Sequence, residues 1–166
     1  MQPFLSFSRR REKGVARSVT DEGYSTHHSL SPTRPKGPMT NAAYEGFLPG
    51  LHPIEGYGAG GFRFAGMSHR GSLLVSPSGI SAISPVRVQE LDAGALESLL
   101  NAPRGAVDLL VLGTGQSLVV PPRALRELLR AAGIGIDPMA TGHAVSTYNI
   151  LLAEGRKVAA VLLATP

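Results

Sequence analysis

Leu109, Leu110, Val111 and Leu112 follow one another without a polar residue between them and run straight into Gly113-Thr114-Gly115. A strand with one wet face alternates apolar and polar side chains, whereas an unbroken apolar run that stops at a glycine turn reads as a strand covered on both faces. The segment 108–112 therefore predicts a sheet in the middle of the molecule with helices as its covers. Folds built on one solvated sheet, or on helices alone, do not fit it.

The flanking segments extend this reading. Tyr57 to Phe64 mixes aromatics with glycines, and Phe62 and Phe64 fall on one side of a strand with Arg63 on the other. Gly66-Met67 reads as a turn, 71–76 as a second strand, Pro77-Ser78-Gly79 as another turn and 80–83 as a returning strand. Asp92 is placed to cap a helix through Leu100, with Leu96, Leu99 and Leu100 on one face. Pro122 to Ala132 is a helix with Leu125, Leu128 and Leu129 inward and Arg123, Arg126, Glu127 and Arg130 solvated; Gly133 ends it. A short strand at 134–136, a helix at 141–154 and a closing strand at 157–164 complete the order. The fold class expected is α/β: an antiparallel strand meander leading into a mixed sheet covered by helices, in a single domain over 54–166 with a lead-in loop at 39–53.

Charge is uneven along the 166 residues. The first 38 hold seven Lys/Arg against three Asp/Glu, while the remainder holds nine of each, so the net charge of +4 belongs to the N-terminal stretch. A nucleic-acid binder is expected to carry a basic face on its folded part, and a net charge of zero there argues against that class. Residues 1–38 show neither helical nor strand periodicity, so a disordered basic extension is expected. A transit peptide is disfavoured by Glu12, Asp21 and Glu22, and no apolar segment follows Arg9-Arg10-Arg11 as a twin-arginine signal requires. The preferred reading is translation from Met39; intact-mass detection of a native species carrying residue 1 would rule it out. His27-His28 lies in this stretch and is read as incidental. The chain has no cysteine, which removes disulfides, a thiol nucleophile and thiolate metal sites. The apolar run Val158 to Ala164 is too short to span a bilayer.

Two places could carry function. Gly113-Thr114-Gly115 follows a buried strand, where open α/β sheets place ligands. Yet the third glycine of a dinucleotide fingerprint is replaced by Leu118, and the next helix waits for Pro121-Pro122. A tight turn is the simpler reading. The second place is the helix from Thr141, read as N-cap with its oxygen on the Ala144 amide, to a stop at Gly155. Its apolar positions surround much of the circumference, as in a buried helix, and Thr147 and Asn149 sit among them. Each polar group would cost about 1–3 kcal/mol if buried without a partner. Fixed hydrogen bonds to neighbouring loops are therefore expected there. Arg156 is expected near the terminal helix carbonyls or in solvent. His69 and His143 stand alone, without metal-ligand spacing, and no nucleophile or metalloprotease motif occurs. No catalytic residue, metal or cofactor is expected.

Gly58-Ala-Gly-Gly-Phe-Arg-Phe64, Gly71-Ser-Leu-Leu-Val75, the Gly-Thr-Gly turn and Met139-x-Thr141…Thr147-Tyr148-Asn149…Glu154-x-Arg156 together resemble one domain family. It includes mitochondrial respiratory complex I assembly factor 3 and uncharacterised bacterial and archaeal proteins. The resemblance implies a mixed α/β sandwich and a non-enzymatic assembly factor that binds another assembly factor and nascent subunits at the inner membrane. It assigns partner- or ligand-facing roles to Gly113, Thr114, Gly115, Met139, Thr141, Ala144, Thr147, Tyr148, Asn149, Glu154 and Arg156. Ser146 departs from an arginine common in bacterial relatives, and His143 from a small residue. The partners implied are proteins, with no nucleic acid and at most a peripheral membrane contact. The compartment implied is the cytoplasm, at the inner membrane face, in a bacterium, and the mitochondrial matrix in a eukaryote. The alternative is a small-molecule-binding or enzymatic domain with its pocket at the Gly-Thr-Gly turn.

Overall fold

The computed structural model describes residues 46–166. The expectations for residues 1–38, and the boundary at Met39, lie outside them. The elements run β1 (Leu48–Pro49), β2 (Gly56–Gly58), β3 (Gly61–Phe64), β4 (Met67–Arg70), β5 (Ser72–Ser76), β6 (Gly79–Ile83), α1 (Glu97–Leu100), β7 (Leu109–Gly113), α2 (Arg123–Ala131), β8 (Gly135–Met139), α3 (Thr141–Ala153) and β9 (Val158–Leu162). Six strands form a mixed sheet in the order β1-β6-β5-β9-β7-β8, and β2-β3-β4 form a separate antiparallel sheet. Strand β7 is parallel to both β8 and β9, while β5 is antiparallel to β9 and β6.

The central strands β5, β9 and β7 are buried on both faces, which explains the missing alternation in β7. Leu110 and Leu112 join Leu74, Ala159 and Val161 in one core, closed by Leu96 and Leu99 around α1 and by Leu125 and Leu129 of α2. Val111 points the other way, with Leu73, Val75, Val158, Ala160 and Leu162, into a second core. That core is closed by Ala144, Val145 and Tyr148 of α3 and by Phe62 and Phe64 of β3. Each fully buried Leu or Val contributes about 1.5–3 kcal/mol relative to exposure, so the strands that feed both cores hold the layers together.

Several local expectations are corrected. The turn before the second sheet strand is not Gly66-Met67: Met67 already pairs with Phe64, and Met67–Arg70 forms β4. The meander is therefore divided between two sheets. The lead-in also contributes β1, which pairs with β6. Asp92 Oδ1 accepts the Ala95 N–H at 2.8 Å and caps a turn, while the helix itself is only Glu97–Leu100. Strand β8 runs on to Met139 through Asp137-Pro138. Pro138 is tolerated because β8 is the sheet edge, with β7 on one side only.

Candidate functional site

The Gly-Thr-Gly turn and the start of α3 are one joint. Gly113 ends β7, and its carbonyl accepts the Leu163 N–H at 3.0 Å. A Cβ on Gly113 would lie 3.0 Å from Thr141 Oγ1 and 3.1 Å from both Thr141 Cα and Ala144 Cβ. Glycine lets the first turn of α3 approach this strand end closely, and a larger residue would have to push Thr141 or Ala144 aside. Thr114 is buried; its N–H donates to Met139 O at 2.8 Å. Its Oγ1 accepts the Val119 N–H and lies within hydrogen-bonding reach of the Ser117 and Met139 carbonyls. Gly115 has φ +106° and accepts the Thr141 N–H through its carbonyl at 2.8 Å.

Thr141 does not act as the N-cap. Ala140 takes that position, and its carbonyl accepts the Ala144 N–H at 3.0 Å. The Thr141 hydroxyl instead accepts the Gly115 N–H at 3.0 Å and donates to Leu163 O at 2.8 Å. One buried side chain thus joins the turn, the helix and the chain leaving β9.

Further along α3 the polar residues hold the lead-in segment. Tyr148 is fully buried and its hydroxyl donates to His52 O at 3.0 Å. Burial pushes its phenol well above the ordinary tyrosine range. Asn149 accepts the Ile54 N–H at 2.9 Å and donates to Ile54 O at 2.8 Å, reading that peptide as a neighbouring strand would. Thr147 and Met139 are half-buried, and Glu154 and Arg156 are exposed. Gly155, at φ +71°, donates to Leu152 O, and the Arg156 N–H reaches Leu151 O, so the helix ends in a Schellman motif. The arginine serves the helix end through its backbone.

Gly113, Thr114, Thr141, Ala144 and Tyr148 are closed to solvent, so the expectation that they face a partner does not fit their burial. Nor is α3 buried all round, since Ile150 is 59% exposed. The exposed residues at the joint include Gln116, Ser117 and Leu118 after the turn, and His143 on the helix. Ser146 is also exposed and donates to Gly142 O at 3.3 Å, inside its own helix. Sequence reasoning missed Tyr57: its ring covers Gly142, so a side chain there would collide with the phenol. The one signal was a lone tyrosine among glycines. An open groove of about 1190 Å³ lies elsewhere, between β6 and α1, with Leu74 and Ile83 among its apolar lining and Asp92 and Glu97 among its polar lining. Among the described residues no cluster of three or more His, Asp or Glu could hold a metal, and no helix is long and apolar enough to cross a membrane.

A mixed sheet between two helical or sheet layers, with a glycine turn locked to a helix start, defines a class of small α/β domains. The chain belongs to the family described as protein of unknown function (DUF498/DUF598), whose sequence model matches residues 54–163. It is 42% identical to an uncharacterised protein of Rhodobacter capsulatus over 117 residues, 70% of this chain and 88% of that one. A crystal structure described as an outer membrane protein from Bartonella henselae is 44% identical, with a TM-score of 0.68 over 72% of this chain and 100% of that chain. More distantly, NADH dehydrogenase [ubiquinone] 1 alpha subcomplex assembly factor 3 of Xenopus tropicalis is 27% identical over 110 residues, 66% of this chain and 60% of that protein.

Proposed function

We propose that this chain is a non-enzymatic assembly factor for a membrane-associated respiratory complex of the NADH:quinone oxidoreductase type, working through protein contacts. The similarity to the frog assembly factor supports the class of partner. The observation that carries the reading is how the polar groups of the joint are used. Thr114 Oγ1, Thr141 Oγ1 and Asn149 are all engaged with backbone groups, which suits a rigid platform better than a reaction centre. The platform presents Tyr57 and His143 beside Gly142, and Gln116 on the turn. In a bacterium it would act at the cytoplasmic face of the inner membrane, and in a eukaryote in the matrix.

The test is affinity capture of partners from gently solubilised membranes, with the wild-type chain and a Tyr57→Ala/His143→Glu variant as baits. Enrichment of complex I-type subunits or another assembly factor by the wild type, reduced several-fold in the folded variant, is the expected result. Capture of such subunits undiminished by the variant would remove the interface. With no membrane-complex subunit captured by a folded bait, the assembly role itself fails.

A further inference from the structure

We propose that the loop after the Gly-Thr-Gly turn, together with the arginine face of α2, is a contact site for an anionic phospholipid surface, whichever protein partner the joint serves. Leu118 and Val120 are 59% and 70% exposed, while Val119 between them packs inward against the α1–α2 core. The Val119 N–H is tied to Thr114 Oγ1 at 3.0 Å, so the inward turn of Val119 is fixed. Its two aliphatic neighbours are thereby held outward on a braced loop.

Directly after this loop, Arg123, Arg126 and Arg130 recur at i, i+3 and i+7 on α2, on a different face from buried Leu125 and Leu129. All three are exposed, and Arg104 joins the helix end by donating to Ala131 O at 3.4 Å. Glu127 offsets one charge by pairing with Arg123 at 2.6 Å, an exposed pair that leaves both groups hydrated. Three exposed arginines thus line one face of the helix that directly follows two protruding aliphatic side chains, with Arg104 at its far end. A lipid interface takes both: aliphatic groups enter the acyl boundary while arginines remain among anionic headgroups. Single-stranded nucleic acid is the less suitable occupant, because base stacking calls for aromatic rings and the loop offers none.

The experiment is co-sedimentation of the full chain with vesicles of phosphatidylcholine alone, or of equal parts phosphatidylcholine and phosphatidylglycerol. Binding to the anionic vesicles is expected to fall at least about tenfold in Arg126→Glu/Arg130→Glu, and several-fold in Leu118→Asn/Val120→Asn. Arg63→Glu/Arg70→Glu changes the charge equally on the other sheet and controls for long-range attraction, including that of the basic residues 1–38. Its binding is expected to fall far less than that of the α2 pair. Equal loss in the two arginine pairs, or no loss in the α2 pair, would overturn the site. So would binding of polyuridylate, without vesicle binding, that needs the α2 arginines and ignores Leu118 and Val120. All substitutions are at exposed positions, and unchanged thermal melts confirm that each variant is folded.

Discussion

The hydroxyl of Thr141 shows how much one atom can organise. It holds Gly115 and Leu163 at once, so Thr141→Val, which keeps the shape, leaves a buried carbonyl and a partly buried N–H without this partner. A loss of about 1–3 kcal/mol per unsatisfied group is expected, while Thr141→Ser should recover most of it; denaturant unfolding measures both. Gly113→Ala should cost about 1–3 kcal/mol by overpacking against Thr141 and Ala144. Tyr148 gives a pH signature. Its folded pKa lies above the unfolded value, so its contribution is intact below the unfolded value, about 10, and is lost as pH rises beyond it. Tyr148→Phe should lower stability at neutral pH by about 1 kcal/mol and flatten the alkaline decline; unfolding curves from neutral to alkaline pH test both. That Asn149 needs a fixed partner was legible from the sequence, whereas the same expectation for Thr147 is not met by any hydrogen bond of its hydroxyl among the described residues. Which partner Asn149 takes was not legible, since it and Ile54 are 95 residues apart. The N-cap error has a plain cause: a threonine at a helix start reads alike at the cap and one position later.

Among the elements, strand β7 was the most legible, because burial on both faces leaves its mark on every residue. Strand β4 was nearly invisible: Met67-Ser-His-Arg is mostly exposed, and its conformation comes from pairing with β3. The α1 helix was overread because the leucines at 96, 99 and 100 pack inward as a helix stripe would, though the regular helix begins only at Glu97. The Asn149 clamp works at this scale, since it fastens α3 to the segment entering β2. Asn149→Ala should therefore loosen residues 51–58 while β5, β7 and β9 stay protected, and amide hydrogen exchange with peptide resolution would detect it. Uniform loss of protection across the large sheet would mean that the clamp supports the whole domain instead.

For the whole molecule, the mixed α/β class followed from the order of apolar patterns, but the strand order did not. Nothing local in 158–162 says that this strand lies between β5 and β7; its complete burial is the only trace. The balance of nine basic and nine acidic residues after 38 was equally uninformative about place. It concealed the arginine face of α2, because a sum over the domain cancels what a surface keeps apart. Exchange should be slowest in β9, which has a neighbour on each side and a core on each face, and faster in the edge strands β1 and β8. The reverse order would contradict the layering.

Strand β9 also sets a schedule. The β1-β6-β5 and β7-β8 groups touch in the sheet only through it, yet it follows all five in the chain. During synthesis neither group can complete its pairing within the sheet before this strand has been made. Synthesis proceeds at roughly 5–20 residues per second, so for about a second or more the strands on either side exist without the one that joins them, the interval in which a chaperone would find the most to bind.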